Sequence, residues 1–457
     1  MEGASPAESQ HAGTAGSEKA ATGSRLPSAL RAFRHRNYRL FFGGQLISLC
    51  GTWMQVVAQS WLIYRLTGSA MLLGLVGFSS QIPVLLLSPL GGAVADRYER
   101  RRILVATQTT AMLLAFILAA LTLTDHVRVW HLPILAALLG LVNAFDVPTR
   151  QAFVVQMVGK DDLINAIALN SSMFNSARIV GPAVAGVLVA TIGEGWCFFV
   201  NAVSYTAVIA GFLLMRVPAR ARLRPFESAL AGIAEGFKFA WRTGPVRALL
   251  LLLGLVSLMG MPYAVLMPIF ANQVLHGGPK ALGLLMSSAG VGALAGALTL
   301  AARRGVRGLE RWIALSSAGF GASLILFSLS RSFWLSAALL VPAGFSMVGQ
   351  MASSNTLIQT IVPDALRGRV MSVYSMMFIG MAPFGSLLAG VLAHRLGAPN
   401  TVAIGGLVCV AGAAVFALRL RALSHEARQM IVAVEMAGGD PPDEETGRGS
   451  VLAPRDA

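Results

Sequence analysis

Twelve stretches of about twenty apolar, nearly uncharged residues follow one another along this chain, each long enough to cross roughly 30 Å of hydrocarbon as a helix. They lie near residues 40 to 64, 71 to 95, 103 to 124, 131 to 149, 164 to 191, 196 to 215, 246 to 274, 281 to 301, 311 to 329, 333 to 354, 367 to 394 and 400 to 419. Membrane strands would alternate with a period of two over about ten residues, and these runs are too long and too uniformly apolar for that. A soluble domain is excluded as well. Only 12% of the 457 residues are charged and 55% are hydrophobic, where soluble domains carry roughly 25% charge. The expected fold class is an all-α polytopic membrane protein with twelve transmembrane helices.

Charge placement gives an orientation, because Lys and Arg near span ends resist translocation. With the N-terminus in the cytoplasm, that side carries 30 of the 36 basic residues and the other side five, namely Arg65, Arg128, Lys280, Arg331 and Arg395. Arg178 is left inside a span. Both termini are therefore expected in the cytoplasm, with the chain multi-pass in the plasma membrane, which in a bacterium is the inner membrane. The net charge of +15 follows from this bias, so no nucleic-acid partner is needed. Residues 1 to 38 are rich in Ala, Gly and Ser without an apolar core. They read as a flexible cytoplasmic tail, not a cleaved signal. The basic run "RAFRHRNYRLFF" suits anionic membrane lipid, and the polar residues 421 to 457 read as a second cytoplasmic tail. Cys50, Cys197 and Cys409 show no paired spacing and read as small packing residues, with no disulfide or metal implied.

An internal repeat organises the spans. "MFNSARIVGPAVAGVLVATIG" (173 to 193) aligns without gaps on "MFIGMAPFGSLLAGVLAHRLG" (377 to 397), and "LLGLVGFSS" (72 to 80) resembles "ALGLLMSSA" (281 to 289) at a nearly equal offset. Span 5 therefore matches span 11, and span 2 matches span 8. Two parallel six-helix bundles follow, covering 39 to 216 and 246 to 420. Between them, residues 217 to 245 place Leu230, Ile233, Phe237 and Trp241 at helical spacing, which suggests an amphipathic helix on the cytoplasmic surface.

Such a plan resembles the major facilitator class of secondary transporters, which hold a midplane site between two six-helix repeats. The loop "GGAVADRYERRR" (91 to 102) is similar to that family's signature, with Gly92, Asp96, Arg97, Arg100 and Arg101 at matching positions and Glu99 where the family usually has Gly. The resemblance implies a conformational latch. Physically, a small Gly admits a neighbouring helix, and the charges pair with helix ends or with an acid on another span. Asp146, the carboxylate inside span 4 about one turn from its cytoplasmic end, is the expected partner of Arg97 or Arg100. The second-half copy, "RRGVRGLER" (303 to 311), lacks the Asp.

"GPAVAG" (181 to 186) resembles the antiporter motif of the family's drug exporters, with Gly181, Pro182 and Gly186 matching. Pro bends the helix and Gly lets a facing span approach closely. The segment from 147 to 186 looks like the third drug:proton antiporter group, which includes the enterobactin exporter and macrolide efflux proteins. That resemblance covers residues 30 to 420 and implies export in exchange for protons.

Polar residues inside spans mark candidate substrate contacts, since each is costly against lipid. Span 1 carries Gln45, Ser48, Thr52, Gln55 and Gln59 in one helical stripe, and span 5 carries Ser171, Asn175, Arg178 and Pro182. Both stripes are expected to face one cavity, with Tyr205, Tyr263, Gln350, Asn355 and Tyr374 as further contacts or as interhelical hydrogen bonds. Arg178 falls near the midplane, where an isolated charge costs about 3 kcal/mol or more. It is either a structural Arg with amide partners or a substrate contact, because no carboxylate lies at its depth. The larger exporter groups usually have an Arg in span 4, and many an acid in span 1. Neither is present here, so the residue carrying a coupling proton is not marked.

No zinc-binding helix motif, phosphate-binding loop or nucleophile elbow is present. The chain is expected to be a monomeric transporter without cofactor, not an enzyme. It would export a bulky amphiphilic drug or siderophore, with import of a metabolite, or a scaffold role on the same fold, as alternatives.

Overall fold

The structure, a computed structural model, describes residues 28–159, 161–216, 229–303, 305–306 and 308–419. Among them are helices and no strands. Among the described residues, twelve helices are long and apolar enough to cross a membrane: Arg36–Thr67, Ala70–Arg97, Arg100–Leu123, His131–Val158, Leu163–Ile192, Glu194–Leu214, Gly244–Val274, Gly278–Ala302, Leu309–Leu329, Phe333–Ile361, Asp364–Leu396 and Ala398–Leu418. These are spans 1 to 12, one for each apolar run in the sequence. Arg36 and Leu418 lie on the same side of the bundle, called the tail face here, and the opposite side is the far face.

The spans form two six-helix bundles with repeated pairings. Spans 2·4 and 3·6 of the first half correspond to 8·10 and 9·12 of the second. Tight turns separate consecutive spans where glycine permits a left-handed backbone, as at Gly68 (φ +60°) between spans 1 and 2. Ser69 then caps span 2 through its hydroxyl, which accepts from the Leu72 amide at 3.3 Å.

The halves meet along two seams, span 5 on span 8 and span 2 on span 11. Both are built from glycine. A Cβ on Gly283 would lie 2.3 Å from the Pro182 carbonyl oxygen, and one on Gly186 would lie 3.1 Å from Gly283 Cα. In the other seam a Cβ on Gly74 would lie 2.5 Å from the Ser386 oxygen, and one on Gly390 would lie 3.0 Å from Gly74 Cα. The repeat aligns Gly74 with Gly283 and Gly186 with Gly390, so one backbone-on-backbone contact is used twice. Two hydrogen bonds reinforce the far side: Ser287 Oγ donates to the Ile179 oxygen at 2.7 Å, and Asn272 Nδ2 donates to Tyr64 Oη at 3.1 Å.

Toward the tail face the halves part. Span 11 breaks at Ile379–Gly380, and its tail half, Asp364–Phe378, packs on its own half and on the linker helix. Span 7 is also irregular, with wide π-turns at Val256–Gly260 and Phe270–Val274 on either side of Tyr263–Ile269. Ser257 in the first π-turn donates to the Phe378 oxygen at 2.5 Å, which satisfies a carbonyl next to the break in span 11.

Two connecting segments differ from expectation. Residues 28 to 38 are not a free tail: Ser28–Arg34 forms a short helix docked on span 5. There the Ala32 amide donates to Asn165 Oδ1 at 2.8 Å, and buried Asp162 meets Arg31, Arg34 and His35. The rest of that tail and residues 217–228 lie outside the described residues, as do residues 420–457. In the linker, the helix Ala229–Arg242 packs on the tail half of span 11. Glu235 pairs with Arg369, and a Cβ on Gly236 would lie 2.5 Å from the Arg369 oxygen. Phe237 and Trp241 stack at 5.9 Å and stay half exposed.

Candidate functional site

Where the halves part, a cavity of about 820 Å³ opens between them. Spans 1, 2, 5, 7, 8, 10 and 11 all contribute to its wall. Exposed Ser171 and Thr356 mark its tail-side mouth, and the glycine seams close it below.

Span 5 supplies the polar wall. Ser171, Phe174, Asn175, Arg178 and Pro182 line the cavity at successive turns of Leu163–Ile192. Asn175 Nδ2 donates to the Ser171 oxygen at 2.9 Å. Arg178 lies midway along its helix, half-buried, with its guanidinium carbon 5.8 Å from the centre of the Trp53 ring. That distance allows a cation–π contact, worth about 0.5–1 kcal/mol at an exposed site and more when desolvated. The motif glycines position this pair. A Cβ on Gly181 would lie 2.5 Å from Trp53 Cβ and 2.8 Å from the Cys50 oxygen, so span 5 can lie directly on span 1.

The second half supplies a soft apolar wall. Met261, Met267, Met286, Met347 and Met351 line it, with Tyr263 and Phe378 beside them. Unbranched thioethers adapt to cargo of varied shape. Gln81 of span 2 adds an amide for which no hydrogen bond is found among the described residues.

Of the expected contacts, Ser171, Asn175, Arg178, Pro182 and Tyr263 come together here, whereas Tyr205 and Asn355 are not on the wall. The glutamine stripe of span 1 does not reach the wall. Gln45 and Ser48 are buried, and buried Gln55 accepts from Asn201 Nδ2 of span 6 at 2.5 Å. Thr52 donates to the Ser48 oxygen at 2.9 Å, and Gln59 is half-buried outside the cavity. This face satisfies polar groups inside the first bundle, and Trp53 is the span 1 residue in the cavity. Gln350 is buried outside the wall with Nε2 unpartnered among the described residues. Tyr374 Oη donates to the Met351 oxygen at 3.0 Å, behind the wall. Trp53, Gln81 and the methionines are among the lining residues that sequence reasoning missed; the one signal was the concentration of methionine in the second half.

The latch residues are held within the first half. Asp96 and Arg100 pair at 3.0 Å, Arg100 also donates to the Ala95 and Ala152 oxygens, both at 3.1 Å, and Arg101 donates to the Leu213 oxygen at 2.7 Å. Arg97 is exposed, and nothing lies within 4 Å of the space a Cβ on Gly92 would take. Asp146 does not pair with Arg97 or Arg100 as expected. It is buried, pairs with Arg150 one turn along the same helix, and accepts from Thr107 Oγ1 at 2.9 Å and Gln108 Nε2 at 2.7 Å. The nearer cation wins because i,i+4 side chains share one helix face.

Two six-helix halves around a central cavity define a transporter of the major facilitator class. The chain belongs within it to the family described as transmembrane secretion effector, whose sequence model matches residues 27–449. It is 28% identical over 381 residues to the staphyloferrin A transporter of Staphylococcus aureus, an alignment covering 81% of this chain and 94% of that protein. It is 28% identical over 387 residues to the multidrug efflux pump Tap of Mycolicibacterium fortuitum, covering 82% and 93%. Macrolide efflux protein A of Streptococcus pyogenes is 22% identical over 388 residues, covering 83% and 96%. The relatives match the drug- and siderophore-efflux type, and they are transporters, not enzymes. Among solved structures, a POT family transporter in complex with 5-aminolevulinic acid superposes with a TM-score of 0.69 at 12% identity, covering 85% of this chain and 97% of that one. A bacterial homolog of the human lysosomal transporter Spinster, in an inward-facing unoccupied conformation, gives 0.63 at 16% identity, covering 90% and 99%. These likenesses concern the fold.

Proposed function

We propose that this protein is a secondary active exporter that moves a bulky amphiphilic small molecule, of the drug or siderophore class, out of the cytoplasm by alternating access in exchange for protons. The observation carrying this reading is the cavity of about 820 Å³ that opens on the tail face above two glycine seams. The basic bias of the tail-face loops makes that face cytoplasmic, so cargo enters from inside the cell and both termini lie in the cytoplasm of a bacterial inner membrane. The chain works as a monomer in lipid, with residues 39–216 and 246–420 as its rocking halves and 217–245 as their linker.

Asn175, Arg178 and Tyr263 take the polar part of the cargo, and the methionine wall takes its apolar body. Gly181, Pro182 and Gly186 hold span 5 against spans 1 and 8. The loop of Gly92, Asp96, Arg97, Arg100 and Arg101 closes the cytoplasmic side in the opposite state. Relatives named for staphyloferrin A, multidrug and macrolide transport support the cargo class.

Deleting the gene in its host and following accumulation of dyes, antibiotics and siderophores tests the direction. Higher accumulation in the deletion strain is expected, and lower accumulation would sink the export reading. In everted vesicles, uptake that persists after the pH gradient is collapsed would remove the proton.

A further inference from the structure

The cavity wall has, among the described residues, one charged side chain, Arg178, and no counterion beside it. Among the described residues, no carboxylate lies within 4.0 Å of Arg178 and no acidic side chain lines the cavity. The acid nearest in character, Asp146, is occupied inside the first bundle by Arg150, Thr107 and Gln108. Asn175 Nδ2 donates to the Ser171 oxygen, and no hydrogen bond from Arg178 to the acceptor Asn175 Oδ1 is found among the described residues. Trp53 supplies a ring face, which steadies the guanidinium without accepting its N–H groups. No protein hydrogen bond to the guanidinium is found among the described residues, and its polar atoms are not among the buried ones. Its donors therefore open onto the cavity.

Arginine does not lose its proton in proteins, so this cavity stays positive in every state and at every working pH. A cationic cargo entering it would meet a like charge at the midplane and no acid to offset it. An anionic group would receive the planar fork of Arg178 in charge-assisted, bidentate hydrogen bonds. The methionine wall opposite accepts an apolar body of loosely defined shape.

We propose that the cargo is an anionic amphiphile, whose carboxylate, sulfonate or phosphate-type group is taken by Arg178 while its apolar body lies against the methionines. This rests on the reading of the cavity as the transport site.

The test is equilibrium binding to the full chain in nanodiscs of zwitterionic lipid, which carries no information about direction. Its probes are 1-anilinonaphthalene-8-sulfonate, its uncharged parent N-phenyl-1-naphthylamine, and tetraphenylphosphonium as a cationic competitor. The sulfonate should bind roughly tenfold or more tightly than the parent, and tetraphenylphosphonium should not displace it. Arg178→Gln should abolish that preference while parent binding changes by less than about twofold, which also certifies the fold. Arg178→Lys, which keeps the charge without the fork, should retain part of it. Equal binding of sulfonate and parent, no saturable sulfonate binding, a preference surviving in Arg178→Gln, or efficient displacement by the cation would each overturn the assignment. If the preference holds while everted vesicles take up nothing, the export reading falls and the cargo class stands.

Discussion

The far face and the tail face are held by different physics: the two halves touch on the far face, and on the tail face each half keeps its own contacts. On the far face, glycine backbones lie in contact at Gly186·Gly283 and Gly74·Gly390, with Ser287 and Asn272 reaching across by hydrogen bonds. On the tail face the contacts are ionic and stay local: Asp96 with Arg100, Glu235 with Arg369, Asp162 with Arg31, Arg34 and His35. Backbone packing is short-ranged and indifferent to salt, whereas exposed ion pairs are weak and screened. Under the proposed alternating access, one end is therefore a seam that separates as a unit, and the other a set of small adjustable restraints.

The largest test sets the same substitution at both ends. Gly283→Val must displace the Pro182 carbonyl, and such overpacking costs about 1–3 kcal/mol, enough to shift a two-state balance roughly 5- to 150-fold. Gly92→Val meets open space in this state and would clash only in a state where the tail face closes. Both variants are expected to transport near background, but to trap opposite states. Distances between spin labels at the far ends of spans 5 and 8 should lengthen in Gly283→Val and stay short in Gly92→Val. The same shift in both would end the contrast.

The seam was legible in the sequence to an unusual degree, and of the cavity only the span 5 stripe and Tyr263 were. The repeat that aligned 173–193 with 377–397 and 72–80 with 281–289 carries all four seam glycines, because close approach of two backbones tolerates nothing larger. The polar stripe of span 1 misled because both faces of a helix inside a bundle are shielded from lipid. A glutamine then serves an interhelical bond as well as a cavity, and the Asn201 partner of Gln55 sits 146 residues away. Trp53 sent no signal, since an indole is at home in any span. Arg150 was overlooked as the partner of Asp146 although it lies four residues along the same helix, because the larger basic cluster of the latch drew the pairing.

Removing one seam hydrogen bond is a smaller step. Ser287→Ala gives up the bond to the Ile179 oxygen, worth about 1 kcal/mol net, so the ratio of far-sealed to far-open molecules should fall about fivefold. Label distances would report this, and the shift should be the same at low and high salt. A ratio that changes with salt would place an ionic component in the seam. On the tail face, Glu235→Gln removes a half-exposed pair with Arg369, worth about 0.2–1 kcal/mol, and transport should change by less than about fivefold. Raising salt from about 0.1 to 1 M shortens the screening length from about 10 to 3 Å and should reproduce most of that change in the unmodified protein.

The smallest effect is expected at Asp162, and its sign can be worked out. The hydrogen bond to His35 holds the Asp162 carboxyl below the ordinary carboxylate range; burial opposes this, and Arg34 and Arg31 add to it. A carboxyl with a lowered folded value stabilises docking above its unfolded value of about 3.9, and loses that contribution as pH falls through the folded value. This acid should therefore keep the helix Ser28–Arg34 on span 5 at any pH above about 5, and release it only under strong acid. Asp162→Asn removes the charge at all pH values. A spin label on Leu30 should then become mobile at neutral pH, while transport changes by less than about twofold because neither seam nor cavity is touched. A large loss of transport would instead tie the docked helix to the movement of span 5, and the tail face would then share in the seam's work.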